Sequence, residues 1–256
     1  MTTTKNLSEV FSSDAYNLAR TSPKITDKLY FHFKDLVTAL SKVPFTDQSK
    51  ILDFGCGSAP YRSLIPHGLY HRADYHYDGV STDLEIINGL IPQAKSDFYD
   101  FVLSSQVLEH VTSVAEYLNE ARRVLNDEGL IVLTTHGIFE DHPCPYDYWR
   151  WTADGLKTEI ERNGFETISL YKLTGGQRFS FMQLDESLQT INVVSCYFCN
   201  IFIRIFRKIF KLLKNRIIHE IEKSSLNTAV HSVSDADSGP KKYVAIMIVA
   251  RKKASK

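Results

Sequence analysis

The stretch of sequence that decides the fold reads Ile51-Leu52-Asp53-Phe54-Gly55-Cys56-Gly57-Ser58-Ala59-Pro60. An apolar run of strand length breaks into a Gly-x-Gly turn, and glycines let a backbone turn sharply and approach a ligand closely. Pro60 stands where the dinucleotide-binding pattern has its third glycine, and Asp53 stands two residues before the first one. A carboxylate here is unfavourable for a phosphate resting on the helix N-terminus. The turn therefore suits a ligand that carries positive charge.

Outward from this turn, strand-like and helix-like patterns alternate. Short apolar runs bounded by turn residues predict further strands at 70–74, 98–104, 130–135, 165–173 and 243–250. Apolar residues at three- and four-residue steps predict helices over 24–43 and 113–125, and a third that begins after Thr152 as its N-cap and ends at 163–164. Such alternation predicts a mostly parallel sheet covered on both faces, with its ligand beyond the carboxyl ends of the strands.

Composition excludes several classes of protein. The 256 residues include 43% hydrophobic ones, which excludes a disordered chain, and 30 basic residues balance 30 acidic ones, so we expect no nucleic-acid partner. Met1–Ser13 has no apolar core of a secretory signal, and we expect a cytoplasmic protein. Of the four cysteines, only Cys196 and Cys199 are closely spaced. We expect reduced thiols and no metal.

The acid-x-Gly-x-Gly pattern resembles the first motif of class I S-adenosylmethionine-dependent methyltransferases, and the likeness extends from Ile51 to about residue 173 and to the last strand. The resemblance implies an α/β, Rossmann-like, doubly wound fold: a seven-stranded, mostly parallel sheet with an antiparallel last strand. It also implies that Asp53, Gly55 and Gly57 frame the methionine end of S-adenosylmethionine. That cofactor has an ammonium, a carboxylate and a sulfonium but no phosphate, which agrees with the charge of the turn.

Two acidic positions after the turn are assigned to the rest of the cofactor. An acid some twenty residues on can accept hydrogen bonds from a ribose diol, and we assign this role to Asp74, with Asp78 as the rival. Thr82-Asp83-Leu84 resembles the segment in which this family has an acid that contacts adenine, followed by an apolar residue. The alternative for Asp74 is a solvated acid in a polar loop.

The fourth strand runs into Val107-Leu108-Glu109-His110-Val111, which resembles the segment of small-molecule methyltransferases at this point. The resemblance implies that the backbone of 104–106, including Ser105, closes over the methionine portion and that Glu109-His110 lies near the transfer site. For His110, a hydrogen-bonded structural role competes with a role in catalysis.

The fifth strand leads into an unusual loop at 140–152, with two prolines, a histidine, an arginine and four aromatic residues. Aromatic rings can stack on a sugar, so we interpret it as a substrate-binding loop; the alternative is an aromatic plug that packs the next helix on the sheet. His136 and His142 are candidate bases for a hydroxyl, with Asp147 as orienter or alternative base. The loop is similar to that of bacterial methyltransferases associated with surface-polysaccharide and other glycan pathways.

The domain plan follows from these patterns. We predict an N-terminal helical segment (1–48), a methyltransferase domain (49–175 and 241–252), a helical amphipathic insert (183–223) before the last strand, and a flexible linker (224–240). The segment 201–218 is predicted to be a helix in which basic residues are interspersed among apolar ones. This helix predicts peripheral contact with the inner face of the cell membrane, or else a lid or a homodimer contact.

Together these patterns predict an enzyme of class EC 2.1.1 that uses S-adenosylmethionine to methylate a hydroxyl of a small-molecule or glycan-linked acceptor. Three alternatives stay open: a methyltransferase for a soluble metabolite, a nicotinamide-dependent oxidoreductase, and a catalytically silent module recruited to a membrane or partner. Pro60 and Asp53 disfavour the oxidoreductase.

Overall fold

A computed structural model describes residues 14–76, 81–191, 197–224, 229–234 and 236–253, with the backbone alone at 14–15 and 197–199. The expectations placed on Met1–Ser13, on Asp78 and on Cys196 fall outside the described residues, as does the side chain of Cys199.

One eight-stranded sheet forms the centre of the protein. Its strands are Lys50–Phe54 (β1), Leu69–Asp74 (β2), Leu84–Glu85 (β3), Tyr99–Ser105 (β4), Leu125–His136 (β5), Phe165–Gly175 (β6), Val230–Ser232 (β7) and Tyr243–Lys252 (β8). The order is β3-β2-β1-β4-β5-β8-β6-β7, with parallel pairing from β3 through to β5. β8 runs antiparallel to both of its neighbours, as predicted, and β7 is a short antiparallel addition beside β6.

Helices cover both faces of the sheet. They are Asp14–Thr21 (α1), Tyr30–Leu40 (α2), Val114–Val124 (α3), Ala153–Arg162 (α4), Gly176–Thr190 (α5) and Tyr197–Ser224 (α6). The predicted cap of α4 is confirmed, since the Thr152 hydroxyl accepts a hydrogen bond from the Gly155 N–H at 3.1 Å. Helix α2 begins at Tyr30, later than its predicted start at 24. The α/β, Rossmann-like fold class is confirmed, although the sheet has eight strands and not the predicted seven, because β7 adds to its edge.

The strands at the centre are apolar on both sides because each side faces a layer of helices. Leu52 and Phe54 of β1 belong to one buried cluster, which also holds the inner faces of α3 and α4. Ile51 belongs to the second cluster, with Leu36 and Leu40 of α2. Alternate residues of one strand thus join two cores, which holds the carboxyl ends of the strands at fixed positions.

The insert between β6 and β8 packs against α2 rather than standing free. Arg178 of α5 pairs with Asp35 of α2, and the side chains of both are at most 3% exposed. Asp35 also accepts a hydrogen bond from the Thr174 hydroxyl at 2.8 Å. Phe210 and Ile218 of α6 are buried in one apolar cluster with Phe31 of α2 and Phe181 of α5. No helix in the described part of the chain is both long and apolar enough to cross a bilayer.

The segment 224–240 was predicted to be a flexible linker, and this is wrong for its middle part. Val230–Ser232 forms strand β7, which pairs with Tyr171, Lys172 and Leu173 of β6. The polar composition of the segment hid a three-residue strand whose partner lies far away in the sequence.

Candidate active site

The glycine turn after β1 leaves an open backbone surface at the carboxyl edge of the sheet. Gly55 (φ +81°) and Gly57 (φ +52°) both adopt left-handed backbone conformations. A Cβ on Gly55 would lie 2.7 Å from the methyl groups of Val107, whereas one on Gly57 would meet nothing within 4 Å. Gly55 is therefore required for close packing, and Gly57 faces space in which a ligand can approach the backbone.

Two of the acids assigned to the cofactor, Asp53 and Asp74, lie beside this turn. Asp53 is 3% exposed, accepts a hydrogen bond from the Tyr70 hydroxyl, and has a pKa that burial raises to about 7. Asp74, at the end of β2, accepts hydrogen bonds from the backbone N–H of Gly57 at 2.6 Å and of Tyr75 at 2.8 Å. Burial raises its pKa as well. Asp74 thus ties the glycine turn to the neighbouring strand.

The other predicted cofactor residues surround the same edge. The Asp83 carboxylate receives two side-chain hydrogen bonds from Arg72, both 3.0 Å long, and these hold its pKa below the ordinary value. Leu84 is half-buried against the core at the start of β3. The Ser105 hydroxyl lies 3.0 Å from that of Thr134, on β5. Asp83 is therefore already paired within the protein, which sequence spacing could not reveal.

Helix α1 lies over the glycine turn, a contact that sequence reasoning missed. The Asn17 side-chain oxygen accepts a hydrogen bond from the Ser58 hydroxyl at 2.6 Å. Arg20 approaches the Tyr61 hydroxyl at 3.5 Å. The N-terminal segment thus forms one wall of the candidate cofactor cleft.

Glu109, His136 and His142 form a cluster at the ends of β4 and β5. Their candidate ligand atoms all lie within 4.8 Å of one another, and His136 Nε2 is 3.2 Å from Glu109 Oε1. Glu109 and His136 are buried, and the side chain of His142 is 33% exposed. Burial raises the pKa of Glu109 to about 7 and lowers the pKa values of both histidines. The two predicted bases are thus brought together.

Asp147 supports this cluster from the loop. Its carboxylate receives hydrogen bonds from Arg150 at 2.7 and 2.6 Å and from the backbone N–H of His142 at 2.9 Å. The hydrogen bonds from Arg150 hold the pKa of Asp147 well below its usual range. A carboxylate held in this way is suited to orient His142, and it is a poor proton acceptor.

Glu109 has a larger part in the site than sequence reasoning gave it. The Leu-Glu-His turn was placed near the transfer site, yet no function was assigned to its glutamate. Its Oε2 accepts a hydrogen bond from Thr135 at 2.8 Å, and its side chain is fully buried. The available signal was a glutamate among apolar residues in the turn that follows a buried strand.

The loop at 140–152 is fastened to the same turn through main-chain carbonyls. Glu109 accepts hydrogen bonds from the N–H of Tyr148 at 2.7 Å and of Trp149 at 3.3 Å. The Trp149 indole donates to the Val111 carbonyl at 2.7 Å. Tyr146 and Tyr148 remain 63% and 44% exposed, so their rings are available to a bound molecule.

Comparisons with known proteins agree with this geometry. Residues 27–170, more than half of the chain, match a family described as a methyltransferase domain. A SAM-dependent methyltransferase from Archaeoglobus fulgidus is similar in structure, with a TM-score of 0.52, 16% identity, and coverage of 92% of this chain and 97% of that one. One from Thermotoga maritima has a TM-score of 0.52 and 11% identity, with 97% and 100% covered. At these identities the likeness shows the fold. A search of curated proteins finds no match.

Proposed function

Because the chain belongs to the family of methyltransferase domains, and is therefore an enzyme that uses S-adenosylmethionine, we propose that it methylates a hydroxyl group of a small or glycan-linked acceptor. The observation that supports an oxygen acceptor is the Glu109, His136 and His142 cluster. A hydroxyl is a weak nucleophile until it loses its proton, so a site for O-methylation needs a proton acceptor within reach.

The residues at the glycine turn fit S-adenosylmethionine. Gly57 offers an open backbone, and Asp74 places a carboxylate against it. When bound, the cofactor supplies an electrophilic methyl group on a positively charged sulfur. We assign the methionine end to Asp53, Gly55, Gly57 and the backbone at Ser105, the ribose to Asp74, and the adenine to Asp83 and Leu84. Because Asp83 is paired with Arg72, this assignment requires the Arg72 side chain to move when Asp83 turns towards the adenine.

Methyl transfer to a hydroxyl sets the task of the remaining residues. As the oxygen bonds to the methyl carbon, the carbon–sulfur bond breaks and its electron pair stays on sulfur, so the hydroxyl proton must leave to a base. His142 is the member of the cluster open to solvent, and Asp147 orients it. We propose that His142 receives this proton and that His136 and Glu109 support it from within.

A transfer assay with a cell extract tests this function. Methyl-labelled S-adenosylmethionine is incubated with protein and extract of the producing cell, and the lipid, polysaccharide, protein and small-molecule fractions are counted. Label in polysaccharide or lipid supports the glycan acceptor, and label in small molecules supports a soluble metabolite. The Asp74→Ala protein serves as the blank. Absence of label from all four fractions would contradict enzymatic function and favour the silent module.

A matched pair of variants tests the base. His142→Ala should reduce turnover while S-adenosylhomocysteine still binds, because His142 lies in the loop and not in the cofactor cleft. His67→Ala, which replaces an exposed histidine before β2, should leave both turnover and S-adenosylhomocysteine binding unchanged. Wild-type turnover in His142→Ala would remove it as the base.

We also propose that α6 rests on an anionic membrane surface. One side of the helix packs through Phe210 and Ile218, and Lys214 binds Asp185 of α5 at 2.8 Å. Another side exposes Phe202 (71%) and Leu212 (82%). Three further apolar residues on that side, Ile205, Phe206 and Ile209, are 48–50% exposed.

Charge favours lipid over a second copy of the chain as the occupant of this surface. Arg204, Lys208 and Lys211 are all exposed and flank the apolar side of α6. Basic side chains beside a partly buried apolar face are typical of helices that lie in the headgroup region of anionic membranes. Two copies meeting at this face would bring their like charges together.

Vesicle flotation tests this contact. The protein should float with vesicles of phosphatidylcholine containing about one third phosphatidylglycerol and remain behind with phosphatidylcholine alone, since each basic residue near an anionic surface contributes about 1 kcal/mol. Lys208→Glu with Lys211→Glu should abolish flotation, whereas Lys157→Glu on α4 should not. A dimer in sedimentation without flotation would favour self-association instead.

A further inference from the structure

We propose that Glu109, His136 and His142 bind a divalent transition-metal ion, for which Zn²⁺ is the probe. Two imidazoles and one carboxylate are a donor set suited to zinc and its first-row neighbours. The three residues come from the turn after β4, the end of β5 and the following loop, so no short sequence spacing reports the site. The prediction of no metal was based on the spacing of the cysteines, so it did not test for a site made of histidine and glutamate side chains.

The distance between the two buried members matches that of ligands on one ion. His136 Nε2 and Glu109 Oε1 are 3.2 Å apart. Two ligand atoms each about 2.0 Å from a tetrahedral ion lie about 3.3 Å apart. Glu109 Oε1 is buried and has no hydrogen-bond partner among the described residues, while Oε2 is held by Thr135. A buried carboxylate oxygen left in this way is short of a positive partner.

His142 is oriented as a metal-binding histidine usually is. Its Nδ1 lies 3.3 Å from the Glu140 carbonyl and 3.4 Å from Asp147 Oδ2, which leaves Nε2 as its ligand atom. Ligating histidines commonly donate their other N–H to a carbonyl or carboxylate, which fixes the ring. Arg150 in turn fixes Asp147 by two hydrogen bonds.

The site has a route in and an open position. His142 is partly exposed and sits on the loop, whereas the other two ligands are buried on the sheet edge. The ligand atoms are separated by as much as 4.8 Å, so one ligand must move inward for all three to contact an ion. His142 is the ligand that can do so, since it lies on the loop. Three protein ligands leave a fourth position for water or substrate, the arrangement of catalytic zinc sites. This use of the site rests on the proposed function: with an ion bound, His142 is a ligand rather than the base, and a hydroxyl at the fourth position would lose its proton to solvent more readily because the ion lowers its pKa.

Metal binding is measured without cofactor or acceptor, so its result is separate from that of the transfer assay. Chelator-treated full-length protein is titrated with Zn²⁺ against a chromogenic competitor, and Co²⁺ is added in parallel to record its visible absorption. We expect one equivalent of tight Zn²⁺ and the intense bands of four-coordinate Co²⁺.

Three variants test the ligands and one serves as control. Glu109→Gln, which keeps the shape of the side chain, and His142→Ala should each weaken Zn²⁺ at least tenfold, and Asp147→Asn should weaken it tenfold to a hundredfold by freeing His142. His67→Ala should not change it. Circular dichroism and thermal melting confirm that the variants are folded. Unchanged affinity in Glu109→Gln and His142→Ala, or the pale spectrum of six-coordinate Co²⁺, would overturn the site.

Discussion

Replacing Asp74 by alanine should weaken binding of S-adenosylhomocysteine, the product form of the cofactor. The Asp74 carboxylate accepts hydrogen bonds from the N–H groups of Gly57 at 2.6 Å and of Tyr75 at 2.8 Å. The substitution removes the acceptor assigned to the ribose and also releases the glycine turn, which is assigned to the methionine end of the ligand. Both effects act on the same binding step.

The magnitude follows from one lost hydrogen bond to a charged group. Such a bond contributes about 1.5 to 3 kcal/mol. At about 1.4 kcal/mol for each factor of ten, Kd should rise about 10- to 150-fold. Asp74→Asn keeps an oxygen acceptor and loses the charge, so its Kd should lie between that of wild type and Asp74→Ala.

Isothermal titration calorimetry with S-adenosylhomocysteine measures this difference directly. The matched control is Asp127→Ala, which replaces an exposed acid near the amino end of β5 and should bind S-adenosylhomocysteine like wild type. A melting curve for each variant separates lost affinity from lost structure. The reasoning fails if folded Asp74→Ala binds within twofold of wild type, because the ribose contact would then lie elsewhere.

Four further substitutions test packing, cofactor binding and stability. Gly55→Ala should lower the free energy of unfolding by about 1 to 3 kcal/mol through overpacking, measured by urea denaturation, whereas Gly57→Ala should cost about 1 kcal/mol of backbone strain and chiefly weaken cofactor binding in calorimetry. Asp35→Ala should lower the free energy of unfolding by about 3 to 5 kcal/mol in the same assay, since it leaves Arg178 in the core without its carboxylate; a loss under 1 kcal/mol would contradict this. Thr152→Ala should cost about 1 kcal/mol in thermal melting through loss of the α4 cap.

Local patterns predicted the framework of this protein well because they report local physics. The apolar run before Gly55 forms β1, and Thr152 caps its helix as its side chain predicted. Each of these depends on neighbours within a few residues. The cleft at the carboxyl edge follows from the direction of the strands alone.

Tertiary pairing produced the features that local patterns missed. Asp83 forms an ion pair with Arg72 on the adjacent strand, so the Asp83 carboxylate already has a partner of opposite charge in this structure. Glu109 meets His136 because β4 and β5 are parallel neighbours whose ends coincide, a fact of register rather than of spacing. The exposed side of α6 could be read from its periodicity only after the structure showed which side packs inward.

The way in which the loop at 140–152 is anchored has a consequence for how this enzyme can change. The loop is fastened by N–H groups and one indole that donate to carbonyls of Glu109, Val111 and His136. Those fastenings do not involve the side chains of Tyr146 and Tyr148, which project outward. Mutation at these two positions therefore carries little risk to folding, and if the loop binds the acceptor as we propose, they are the place to begin a directed-evolution library. Under the same proposal, a lineage of such enzymes could diverge in substrate there while the Glu109, His136 and His142 cluster stays the same.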